Sequence, residues 1–195
     1  AGPSEIGVIA DESANPVHLA ADLLSQAEHD PRARAIMVTN SEKLAQLVSD
    51  EVERQLSQLP RESIARPAIE NNSYIAVMDS VEDMFTVMNE VAPEHLEIQL
   101  PDPMEYMSMV ENAGSVFLGR YASEPLGDYV GGTNHVLPTS GTAKFSSPLG
   151  VYDFVKRISF TQFSRERLQE VAKDITTLAR TEGLEAHARA IEVRF

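Results

Sequence analysis

The chain has 195 residues, 43% hydrophobic and 24% charged, the composition of one globular domain with room for an appendage. With no cysteine it has neither a disulfide framework nor a thiolate zinc site, so any metal must be held by nitrogen and oxygen. Its formal charge of -14 repels phosphate backbones and argues against nucleic-acid binding, and no apolar run approaches the roughly 20 residues that cross a bilayer.

A chain of this length buries roughly 70% of its unfolded surface, so a stable core is expected without staples. A soluble, cytoplasmic protein with no membrane partner is expected. The opening "AGPSEIGVIAD" lacks a methionine and runs straight into an apolar strand, which points to a fragment of a longer chain. "IGVIA" (6–10) is the first predicted strand. It precedes a helix beginning near Asn15-Pro16, where proline suits the first helical position. Ala20, Ala21, Leu23, Leu24 and Ala27 give that helix its apolar face. "AIMVT" (35–39) is the second strand, and 41–59 is an amphipathic helix opened by Ser41. A proline-bearing loop is expected to lead to "YIAVM" (74–78), followed by a helix over 80–91. "HLEIQL" (95–100), a short helix near 103–112 and "SVFLG" (115–119) complete the alternation. Five continuous apolar strands alternating with helices predict an α/β fold, Rossmann-like. The sheet is expected to be mostly parallel with helices on both faces.

After Gly119 the texture changes. Residues 120–150 are rich in Gly, Pro, Ser and Thr, without sustained periodicity, and read as a long functional loop region. A helix from about Ser164 to Arg180, a break at Gly183 and a short last helix through His187 follow. The division expected is an α/β domain over 1–119, a glycine- and proline-rich loop region over 120–150, and a helical tail unit over 151–195.

Chemistry is carried by a few polar positions. In "LLSQAEHDP" (23–31), Gln26 and His29 are three apart and point the same way on a helix. That pair is either a solvated polar cap or two side chains aimed at one object. "VAPEHLEI" (91–98) puts Glu94 and His95 at the mouth of a strand, where a carboxylate and an imidazole could serve two proton transfers; a polar turn entering a strand reads equally well. Asp128 in "LGDYVGG" is flanked by glycines that permit close backbone approach, as in any tight turn. Glu182 and His187 lie on either side of the Gly183 break. His18 reads as structural, and His135 as a turn residue without a catalytic role. "GDYVGG" is not a dinucleotide fingerprint, and no phosphate-cradling loop is present.

Taken together and in order, "AGPSE", "DLLSQAEHDP", "APEHLEI", "GDYVGGTNHVLPT", "SSPLGVYDFVKR" and "EGLEAH" resemble the histidinol dehydrogenase family from Ala1 to nearly the last residue. The family enzyme is about twice this length. The resemblance implies that the half holding most NAD contacts is not in this sequence, so the cofactor-binding residues are expected outside it. It also implies one zinc ion held by Gln26, His29, Asp128 and His187. The implied reaction is the oxidation of L-histidinol to L-histidine through L-histidinal with NAD. His95 would be the base for the alcohol, and Glu94 would activate the water. Ser4 and Glu182 match family positions that contact the substrate, alongside Gln26, His29, His95, Asp128 and His187. The family's homodimer, whose tails cross to the partner, would make Glu182 and His187 complete the other subunit's site. Two further readings stand beside this one: a related zinc and NAD polyol dehydrogenase, such as a sulfopropanediol dehydrogenase, and a non-catalytic α/β metal-binding or dimerisation fragment. Glu182 would repel a sulfonate, which disfavours the first.

Overall fold

The structure is a computed structural model, and it describes residues 2–195. Five strands, β1 (Glu5–Ala10), β2 (Arg34–Thr39), β3 (Tyr74–Val77), β4 (His95–Gln99) and β5 (Ser115–Leu118), form one all-parallel sheet in the order β3-β2-β1-β4-β5. The fold is therefore α/β with a parallel sheet, as the alternating pattern predicts.

Two apolar layers sandwich the sheet. On one face, Ile6, Val8 and Ala10 of β1 and Ala35 and Met37 of β2 pack under α1 (Pro16–Ala27), α2 (Glu42–Leu56) and α3 (Glu62–Asn72). On the other, Ile9, Ile36, Val38, Leu96 and Ile98 pack against Met84, Phe85 and Met88 of α4 (Val81–Val91). Side chains alternate along a strand. With Leu96 and Ile98 committed to the α4 side, the buried His95, Glu97 and Gln99 must face the α1 side. A parallel sheet buries both faces, so this row of polar side chains lies inside the protein.

Local signals explain most boundaries. Asn15 caps α1 by accepting from the Val17 amide, Ser41 caps α2 through Leu44, and Ser80 caps α4 through Asp83. The sequence reading differs at α3, where a proline-bearing loop is expected and a helix is found. Pro67 lies inside that helix and removes one donor. Ala65, Ala68 and Ile69, spaced three and four apart, seal α3 onto α1 and α2, and that burial outweighs the lost bond. The predicted helix over 41–59 accordingly ends at Leu56. The region 120–150, expected to be irregular, contains the short helix α5 (Glu124–Tyr129), with Pro125 in its first turn, and a 3-10 turn at Thr142–Lys144.

The chain divides into two compact units, residues up to Asp153 and Phe154–Phe195. The second holds α6 (Arg165–Thr181), capped by Ser164, and α7 (Glu185–Glu192). Gly183, at φ +77°, makes the left-handed turn between them, and Arg180 bridges Glu185 at 3.0 Å and Glu192 at 2.9 Å. No helix among the described residues is long and apolar enough to cross a membrane.

Candidate active site

In a βαβ unit the connecting helix runs back along the sheet. The C-terminal end of α1 therefore lies at the edge where β1 and β4 begin. That edge carries the polar residues, whereas open α/β sheets commonly bind ligands at the carboxyl ends of their strands. The turn that delivers them is constrained. Ala92, fully buried, adopts φ 50° at the end of α4, an uncommon conformation for a residue with a Cβ, just before Pro93. Gly114 passes so close to this turn that a Cβ there would sit 2.5 Å from the Glu94 carbonyl oxygen.

Glu94 and His95 are both held by the first residue of β1. Glu94 Oε2 accepts from the Glu5 amide at 3.1 Å, and His95 Nδ1 lies 3.0 Å from the Glu5 carbonyl oxygen. A carbonyl only accepts, so Nδ1 carries the hydrogen and Nε2 presents a lone pair. Nε2 is buried, has no hydrogen-bond partner, and lies 3.4 Å from Glu124 Oε1, which is equally without one. Burial lowers the basicity of His95, and nearby His29 lowers it further, against the opposing pull of the Glu5 carbonyl and Asp128. Burial also pushes Glu94 up to about 7, with the charges of Glu5 and Asp128 adding to the rise.

Glu124 and Asp128 are four apart on α5 and so share one face. Asp128 is thus a helical residue, where the sequence suggests a glycine turn. Burial and the Asp128 charge raise Glu124 to about 8, so it holds a proton near neutral pH. Among the described residues, the donor atoms of His95, Glu124 and Asp128 form a grouping tight enough to hold an ion, all within 4.8 Å of one another. Gly127 permits this approach: a Cβ there would lie 2.8 Å from the Phe117 ring of β5, which itself packs against the His95 ring, 6.1 Å between centroids.

Gln26 is the clearest signature of a ligand site. It is 1% exposed, and neither Oε1 nor Nε2 has a hydrogen-bond partner. The amide lies close enough to Glu124 to favour its charged form, yet neither of its polar atoms is hydrogen-bonded. A buried amide with both ends unmatched costs about 1–3 kcal/mol per group, a cost that an ion or a bound molecule would offset. The donor set of imidazole nitrogen, amide oxygen and carboxylates suits zinc, and the negative end of the α1 dipole favours a cation there.

Of the other expected site residues, His29 follows α1, is exposed, and is close enough for its charge to be felt at His95. Ser4 precedes β1, half-buried, at the same edge. The first unit thus brings Ser4, Gln26, His29, Glu94, His95 and Asp128 to one end of the sheet. Glu182, the residue that ends α6, and His187, in the first turn of α7, belong to the second unit and are exposed. Sequence reasoning missed Glu124, Glu97 and Asp22. Pro125 in a first helical turn and the Glu124–Asp128 spacing signal α5, and the alternation of His95, Glu97 and Gln99 with Leu96 and Ile98 signals a polar strand face.

A profile of the family described as histidinol dehydrogenase matches residues 1–195. The chain belongs to the histidinol dehydrogenase family. It is 67% identical over 195 residues to the histidinol dehydrogenase of Lactiplantibacillus plantarum and 64% identical over 194 residues to that of Streptococcus mutans. In each case all of this chain is covered but only 46% and 45% of the relative, so the chain spans about half the length of these histidinol dehydrogenases. The crystal structure of histidinol dehydrogenase from Elizabethkingia anophelis superposes with a TM-score of 0.91 at 43% identity. It covers 100% of this chain and 45% of that one.

Proposed function

We infer that this chain supplies active-site residues for the oxidation of L-histidinol to L-histidine through L-histidinal, with zinc and NAD as cofactors. One observation carries the reading. An imidazole with a free Nε2, a buried unmatched glutamine amide and a carboxylate pair converge in a chain of the histidinol dehydrogenase family.

Gln26, His29 and Asp128 of one copy, with His187 from the tail of a second, would hold the zinc. When bound, it supplies a positive charge that orients the substrate's amine and imidazole. The overall reaction converts CH2OH to a carboxylate, consuming one water and two NAD and releasing two NADH and three protons. His95 Nε2 takes the hydroxyl proton as the first hydride leaves, a role that needs the lone pair its tautomer exposes. Glu94, titrating at about 7, takes a proton from the water that adds to the aldehyde, and the hydrate then yields the second hydride. Ser4 and Glu182 contact the substrate, the carboxylate accepting a hydrogen bond from its amine. NAD contacts are expected in the part of the relatives that this chain does not cover.

A homodimer with crossed tails is supported by the texture of the second unit. Residues 155–163 have no regular structure and leave Ile158, Phe160 and Phe163 at 63%, 92% and 52% exposure. Clustered exposed apolar side chains mark surfaces that another chain covers.

The test is NADH formation from L-histidinol by a polypeptide carrying this chain at the full length of its relatives, beside the sulfonated diol. Turnover of histidinol alone is expected. Turnover of the diol in its place, or metal content unchanged by His29→Ala, would overturn the reading.

A further inference from the structure

Glu97 and Asp22 play no part in the proton transfers above, yet they are costly residues to bury. Glu97 is fully buried in the middle of β4, and Asp22 is 8% exposed on α1. Two carboxyl groups so placed lose hydration that their mutual contact does not replace, and apolar side chains of similar size often serve stability better. Their bonds show what they do instead. Glu97 Oε1 accepts the backbone N–H of Glu124, the first residue of α5, at 3.0 Å, and Glu97 Oε2 accepts from Gln99 Nε2 at 3.0 Å. Asp22 Oδ1 accepts from the Ser123 hydroxyl at 2.8 Å.

Ser123 occupies the N-cap position of α5, where a serine ordinarily bonds an amide of its own helix. Here it makes no such cap. Its hydroxyl is turned to α1, and the amide at the helix start is satisfied from β4. Both bonds span long stretches of chain, 101 and 27 residues. They tie the start of α5 to the two elements that carry Gln26 and His95. Asp22 and Gln26 are one turn apart on α1, and His95 and Glu97 are two apart on β4. The same two surfaces therefore present the site residues and grip the helix bearing Glu124 and Asp128.

We propose that Glu97, with Asp22 and Ser123, is a positioning clamp that replaces the local cap of α5 and sets the Glu124–Asp128 carboxylates against Gln26 and His95. Its consequence for metal binding rests on the zinc reading above, and its effect on α5 does not.

Two measurements on the 195-residue chain test it: amide hydrogen exchange over residues 123–130 in metal-free protein, and affinity for zinc ion alone by competition with a chromophoric chelator. Glu97→Gln keeps an acceptor for the Glu124 amide and should hold exchange and zinc affinity within about threefold of wild type. Glu97→Leu removes the acceptor and should speed exchange of α5 and weaken zinc binding by about tenfold or more, the usual effect of losing a partner behind a ligand. Ser123→Ala should speed exchange by about fivefold or more, what one hydrogen bond is worth, and it decides the matter should Glu97→Leu fail to fold. Rescue by glutamine but not leucine is the signature that a general packing role would not give. Unchanged α5 exchange in Glu97→Leu, or in Ser123→Ala where the leucine variant is unfolded, overturns the clamp whatever zinc does. Lost protection with unchanged zinc affinity overturns its link to the site. A wild-type chain that binds no zinc removes the metal reading, while the exchange data still decide the clamp.

Discussion

The 3.0 Å contact between His95 Nδ1 and the carbonyl oxygen of Glu5 decides which imidazole nitrogen keeps a free lone pair. It commits the hydrogen to Nδ1 and turns the Nε2 lone pair toward Glu124 and Asp128, and its acceptor is a backbone atom that no substitution of the Glu5 side chain removes. On the proposed reading, His95→Ala in a polypeptide carrying this chain at the full length of its relatives should lower histidinol turnover by about 10²- to 10⁴-fold, the span of general-base contributions. Zinc content, read by elemental analysis, should stay the same. Loss of metal in that variant would contradict the assignment of His95 as base.

Glu94 is tied to the Glu5 amide and titrates near 7, suited to accepting a proton at neutral pH. Glu94→Gln keeps the shape but not the basicity. It should slow oxidation of supplied L-histidinal more than it slows the alcohol step in single-turnover NADH measurements. Equal slowing of both would show that Glu94 is not the group activating water.

Gln26 offers a test in which stability and function move in opposite directions. With both amide atoms buried and unmatched, the metal-free chain carries a cost that Gln26→Leu removes. Urea unfolding in the presence of a chelator should find that variant more stable by about 1 kcal/mol. Added zinc should stabilise the wild type and leave the variant unmoved. A variant that is destabilised without metal would mean the amide has partners in solution.

Three buried carboxyl groups make the metal-free chain sensitive to alkali. Glu97, Glu124 and Glu94 are raised to about 9, 8 and 7, chiefly because burial disfavours their charged forms, with repulsion from Asp22 and Asp128 added. The folded chain then holds protons that the unfolded chain has released. The stability these groups contribute is full below the ordinary carboxylate range and is lost as pH rises through it toward about 9. The carboxylates that arginines hold below their usual range, such as the half-buried Glu51 and the exposed Glu53, act only at more acidic pH. Thermal unfolding with chelator should show Tm falling from about pH 5 to about pH 9. Glu97→Gln, which has no proton to lose, should flatten that fall; an unaltered slope would count against a buried, protonated Glu97.

The alternation of strands and helices is legible along the chain, because hydrophobic periodicity and capping residues such as Asn15, Ser41 and Ser80 act over a few residues. The sequence also marked Gln26, His29, Glu94, His95 and Asp128, whose clustering in ordered motifs is local information. The tertiary structure decided what local signals could not. It made a helix of 62–72 despite Pro67, because Ala65, Ala68 and Ile69 found a surface to cover, and at the start of the 124–129 helix it gave the Glu124 amide an acceptor on β4 and the Ser123 hydroxyl one on α1. It alone paired Glu97 with the Glu124 amide and left Gln26 without a partner. The energy of burying a polar group depends on neighbours that are distant in the chain, and those neighbours exist only once the sheet and its helices have packed.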